Sequence, residues 1–152
     1  MIPDQIVISR DQGARLETIG TYGDGNQFMA FVVVTRLEKP LGSVDNLDDK
    51  RWYAVRHTFA ADGSHLETIA WFAGTSVEGE AVVIARANAK LEQLLTQLDP
   101  VMFGEVRIGL FQTVIDGQIF GLVDMSEDGW ETVELQPNGL GFIGPWEPTA
   151  SF

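Results

Sequence analysis

His57 and His65 are the only imidazoles in a chain of 152 residues that has 22 Asp and Glu and no Cys. A histidine beside a carboxylate is the usual general base, and two histidines on one face could share a metal ion. Asp62-Gly63, between them, predicts a two-residue hairpin turn, since Asp-Gly suits the positive φ of a type I′ turn. In that register His65 pairs with Ala60, and His57 falls on the opposite face of the ribbon. A shared metal is therefore not expected, and a catalytic pair of His57 with a nearby Asp has no positional support in the sequence. Asp45, Asp48 and Asp49 lack the Asp-x-Asp-x-Asp-Gly spacing of a calcium loop and read as a solvated loop. Asp124, Glu127, Asp128, Glu131 and Glu134 surround one hairpin and read as a solvated or partner-facing rim. The glycine pairs Gly23/Gly25 and Gly139/Gly141 do not open a helix, so no phosphate loop is predicted. Gly-x-Ser-x-Gly and His-Glu-x-x-His are absent, and without Cys there is no Cys–His pair. The expectation is no catalytic residue, no metal and no cofactor.

The elements that would position these residues are mostly strands. Five dipeptides, Asp24-Gly25, Asp62-Gly63, Asp116-Gly117, Asp128-Gly129 and Asn138-Gly139, lie between strand-like runs and predict successive antiparallel hairpins. A short first strand is expected within 5–9. Residues 15–22 pair with 27–37, and 52–59 with 65–73. Phe31 to Val34 is apolar at every position, as in a strand covered on both faces. The segment 39–51, with Pro40, Gly42 and its acids, reads as a long exposed loop. The one helix spans 80–98, with a stripe of Ile84, Asn88, Leu91, Leu95 and Leu98 widened by Ala81, Ala87 and Leu94. Thr75 and Glu78 have capping-box spacing, and Asp99-Pro100 ends the helix.

After the helix, 105–115, 118–124, 130–136 and 140–143 predict a four-strand meander. A two-residue turn at Asp116-Gly117 sets Val114 opposite Ile119 and Thr113 opposite Phe120. Ile108, Leu110, Val114, Ile119 and Val123 then share one face, and Phe111, Phe120 and Leu122 the other. The helix covers only one face. Phe111, Phe120 and Leu122 must meet another surface: the first two hairpins in a monomer with a two-layer β core, or a second copy in a two-fold dimer, the alternative favoured here. Trp52, Trp71, Trp130 and Trp146 fall at strand ends or in the tail, and exposed tryptophan marks a binding face. The candidate interaction residues are Phe111, Phe120, Leu122, Trp130 and Trp146.

The formal charge of −12 argues against nucleic acid, whose affinity comes from Lys and Arg on phosphates. No apolar run is long enough for a membrane span or signal peptide. A Cys-free chain fits a reducing cytoplasm.

From about residue 52 onward the chain resembles a family of small bacterial proteins, some labelled formate hydrogenlyase regulatory protein. The resemblance rests on Trp52-Tyr53-Ala54-Val55, Phe59 with Asp62-Gly63, Ala73-Gly74-Thr75, Phe103-Gly104-Glu105 and Asp116-Gly117. It continues through Phe120-Gly121-Leu122-Val123, Glu134-Leu135, Pro137-Asn138-Gly139-Leu140, Phe142 and Pro145-Trp146. It departs at the end, where the family pattern runs Pro-Trp-Asp-Gly-x-Tyr and here Trp146 precedes Glu147-Pro148-Thr149. The family implies no catalytic residue, and its label implies regulation.

The expected architecture is a single α+β domain over 1–152: a curled antiparallel sheet of about eight or nine hairpin-linked strands packed on one long helix. The expected function is a non-enzymatic cytoplasmic protein, regulatory or immunity-type, that binds another protein. The alternative is a small-molecule-binding or enzymatic domain with a site in the sheet's concave face.

Overall fold

A computed structural model of the chain describes residues 2–10, 18–36, 42, 50–137, 139–143 and 146. The fold is α+β, and every strand pairing among the described residues is antiparallel. Among the described residues the strands number eleven and make three sheets rather than one curled sheet. Five of them stand in the order β5–β4–β3–β2–β6: β2 is Ile19–Tyr22, β3 Asn26–Arg36, β4 Lys50–Phe59, β5 His65–Thr75 and β6 Val101–Phe103. Four form the meander β8–β9–β10–β11, with β8 Phe111–Ile115, β9 Gln118–Asp124, β10 Thr132–Gln136 and β11 Leu140–Ile143. The short strands β1 (Ile6–Ile8) and β7 (Val106–Ile108) pair with each other.

Two differences raise the strand count. Residues 105–115 are not one strand: the chain breaks at Gly109-Leu110, where Gly109 N donates to Gly63 O (3.0 Å), and its first half leaves the meander for β1. Residues after Asp99-Pro100 return as β6 along β2. The acids Asp45, Asp48 and Asp49, and most of the loop that holds them, lie outside the described residues.

Alternation along β3 and β4 decides the layering. Met29, Phe31, Val33, Tyr53, Val55 and Phe59 point to one side, into the larger core. Ala54 and the half-buried Val32 and Trp52 point to the other, where the helix α1 (Glu80–Thr96) lies. From Tyr53 to Phe59 every residue of β4 is buried, because both faces are covered. The order of layers is thus helix, five-stranded sheet, meander.

The helix sits where small side chains allow it. Ala87 packs with Ala54 and Ala73, flanked by Val83 and Leu94. The buried seam is Val83, Ala87 and Leu94, about one residue round from the expected stripe. At roughly 100° per residue that rotation leaves Asn88 and Ala81 exposed, and Ile84, Leu91, Leu95 and Leu98 half-buried at the sides. The capping box does not form: Thr75 makes no side-chain cap, and Glu78 pairs with Arg86 Nη1 (3.2 Å). At the other end, buried Arg56 on β4 donates to the Leu94 carbonyl (2.8 Å), Gln97 Oε1 (2.9 Å) and Glu67 Oε1 (2.9 Å). A cation there satisfies an orphan carbonyl and suits the negative end of the helix dipole.

The meander's register at Asp116-Gly117 is as expected, with Val114 opposite Ile119 and Thr113 opposite Phe120. Both turn residues have positive φ (52° and 76°), the type I′ requirement. What covers each face differs from expectation. The helix packs on β3, β4 and β5 and not on the meander. Phe111, Phe120 and Leu122 instead pack, with Val133, Leu135 and Phe142, against Tyr53, Val55 and Phe59. Three of the expected interaction residues are therefore buried in the core of this same chain, the two-layer β core of the monomer alternative.

Candidate functional site

The two histidines lie together, contrary to the two-residue-turn register. The loop at Asp62-Gly63 has three residues, since Ala60 N donates to Ser64 O (2.8 Å), and β5 then carries a one-residue bulge at Leu66. Phe59 pairs with His65 and His57 with Thr68, so all four share one face. Thr68 Oγ1 stands 2.7 Å from both His57 Nδ1 and His65 Nε2. Of the two ways to share protons along this row, one puts the His57 proton on Nδ1. His65 Nε2 then accepts the Thr68 hydroxyl proton, and Thr68 Oγ1 accepts the His57 Nδ1 proton. His57 Nε2, which has no partner among the described residues, is left as a bare acceptor. That assignment avoids a buried orphan N–H, the costlier defect.

Phe111 stacks on His65 (4.6 Å between ring centres, 19°) and meets His57 edge-on (4.8 Å). Phe31 and Phe59 close the remaining sides of His57. Burial, and then the neighbouring His65, push the His57 pKa down to about 3. Burial also lowers that of His65. The chain His57–Thr68–His65 could pass a proton, but its inner end is fully enclosed and reaches no reactant. No group of three or more His, Asp and Glu able to hold a metal ion occurs among the described residues. The histidine pair reads as a core cluster, with buried His57 Nε2 left unpartnered among the described residues.

The meander's outer face is different in kind. Alternation turns Val114 on β8, Ile119 and Val123 on β9 and Ile143 on β11 away from the core. Val114 is 62% exposed, Ile143 55% and Ile119 42%. A hollow of about 550 Å³ lies against this face, lined by residues that include Ile119, Val123, Met125, Gln136 and Pro137. The hairpin tip beside it is held from below: Tyr53 OH donates to Asp116 Oδ2 (3.0 Å), and Arg51 Nη2 stands 4.0 Å from the same oxygen. Burial and that bond push the Tyr53 hydroxyl up to about 12, so it remains a donor at neutral pH. Between Ile119 and Val123, Gly121 lets β9 approach β8 closely, since a Cβ there would collide with the Phe111 carbonyl oxygen.

The acids expected as a rim stand at one end of the meander. Asp124, Glu127, Asp128 and Glu131 are exposed and Glu134 is half-buried. Ser126 donates to Asp124 Oδ1 from its main-chain N (2.9 Å), and hydrogen bonds from its side chain and main chain lower the Asp124 pKa. Trp130 projects from the turn closed by Glu127 and Trp130 and is 62% exposed. Trp146 is half-buried against the larger core. Trp52 and Trp71 belong to the helix side, and Trp52 Nε1 donates to Ser76 Oγ (2.9 Å). Of the five expected interaction residues, Trp130 alone is on the surface. Val114, Ile119 and Ile143 lie outside that set of five, although the alternation that buries Phe120 exposes the first two. Comparison of the chain with protein-family models, curated proteins and solved structures finds no match.

Proposed function

We propose that the protein is a non-enzymatic binding module for another protein, with the outer face of the meander as its docking surface. One observation carries this reading: Val114 and Ile119, paired across β8 and β9, stand exposed on the outer face, and Ile119 and Val123 line a hollow there that a side chain could fill. Scattered apolar residues on a surface need no explanation, whereas a contiguous apolar patch with a polar rim is typical of interaction sites. The hairpin beneath is fixed by Tyr53, so the face is presented with little ordering left to lose on binding. A cytoplasmic, regulatory role fits the Cys-free composition and the label of the resembling family. The test is a photo-crosslinking residue at Val114, in protein produced at native level. It should join one discrete polypeptide, while the same residue at Glu92 on the helix should not. Absence of a specific product at Val114 would remove the reading.

A further inference from the structure

From residue 108 to 152 the sequence holds seven Asp and Glu and no Lys or Arg. The apolar outer face of the meander is therefore bordered by acids of its own segment, with Asp124, Glu127 and Asp128 at one end and Asp116, which Arg51 approaches, at the other. Arg51 is engaged there, beside Asp116 and over the Phe72 ring (4.6 Å). Resting on the docking reading above, we propose that the occupant of this face is a cationic segment of a partner protein that inserts an apolar side chain between Ile119, Val123 and Pro137.

The other occupants fit worse on charge. A second copy would bring like rims together, and facing carboxylates repel. Nucleic acid and acidic proteins meet the same repulsion. Lys or Arg on the partner would gain from the rim carboxylates, and a buried aliphatic side chain would add the gain of leaving water.

The test uses three synthetic peptides of about twelve residues, alternating Lys with Leu, Lys with Gly, or Glu with Leu, with affinities read by fluorescence anisotropy on the full chain. The Lys–Leu peptide should bind, more tightly than Lys–Gly, and weaken steeply between low and physiological salt. The paired substitution Ile119→Ser with Val123→Ser should weaken it about tenfold or more. Glu92→Gln, which removes an acid on the far helix, should leave it unchanged. Circular dichroism checks that each variant is folded. Equal binding by the paired variant would mean diffuse attraction to an acidic chain and would overturn the proposal, as would absence of Lys–Leu binding. Binding of Glu–Leu alone would also overturn it while leaving the docking face in place. Failure of the Val114 crosslink removes the face itself.

Discussion

The inner and outer faces of the meander are built from alternate residues of the same strands, and both carry apolar side chains on β8 and β9. Phe120 and Leu122 are fully buried, while Ile119, beside them on β9, is 42% exposed and Val123 half-buried. Residue type does not separate the two sets. The difference is that the five-stranded sheet presents Tyr53, Val55 and Phe59 to one face, while the helix that was expected to cover the other is occupied behind β3–β5. Apolar character on both sides of a strand shows that two surfaces are available for burial. It does not show which one the chain itself uses, and the one left over is where a partner is most economically sought.

The most severe way to break this comparison is a charge on each face. Phe120→Glu places an unpaired carboxylate in the core, at several kcal/mol, comparable with the roughly 5–15 kcal/mol that holds a domain together. It should be largely unfolded by circular dichroism. Val114→Glu, one strand over and facing out, should stay within about 0.5 kcal/mol of the parent. Equal melting of the two variants would contradict the inner and outer assignment.

A smaller effect is expected at Gly121, where β8 and β9 touch. Gly121→Ala forces the strands apart and should cost about 1–3 kcal/mol in urea titrations, although no apolar contact is removed. A neutral result would mean the two strands are further apart than described.

Acid should weaken the inner face through His57. Its pKa is about 3 when folded and 6.5 in an exposed chain, so the unfolded state binds the proton more readily. Stability is complete above pH 6.5 and falls as the pH drops toward 3, by about 1.4 kcal/mol per unit. Between pH 6.5 and 5, before most carboxylates titrate, the loss should be about 2 kcal/mol. His65, also lowered, adds in the same direction. In His57→Phe the slope should shrink toward the small remainder from His65. An unchanged slope would place the titration elsewhere.

The mildest change sharpens the outer face alone. Ile119→Ser should leave the melting temperature within about one or two degrees, since less than 0.5 kcal/mol is at stake for a surface side chain. A loss of several degrees would show that Ile119 is core and that the face is not free.

Local signals settled much of the molecule. The Asp-Gly dipeptides lie between strands because a positive φ is cheap only for a few residue types, and Asp116-Gly117 fixed the β8–β9 register outright. The 3.6-residue period placed α1 at Glu80–Thr96, and the two-residue period sorted Phe111, Phe120 and Leu122 from Val114, Ile119 and Val123. The fold class followed from these. Tertiary packing decided the rest. The bulge at Leu66 brought His65 round to His57, and a bulge is a property of two strands fitting together, with no residue of its own to announce it. The helix settled on Val83, Ala87 and Leu94 because Ala54 and Ala73 leave room for a close approach there, a shape that belongs to the sheet. Which apolar face of the meander is interior and which is left exposed depends on the whole set of surfaces competing to be buried. A residue's own chemistry states only that it gains by leaving water, and it is silent on what will cover it.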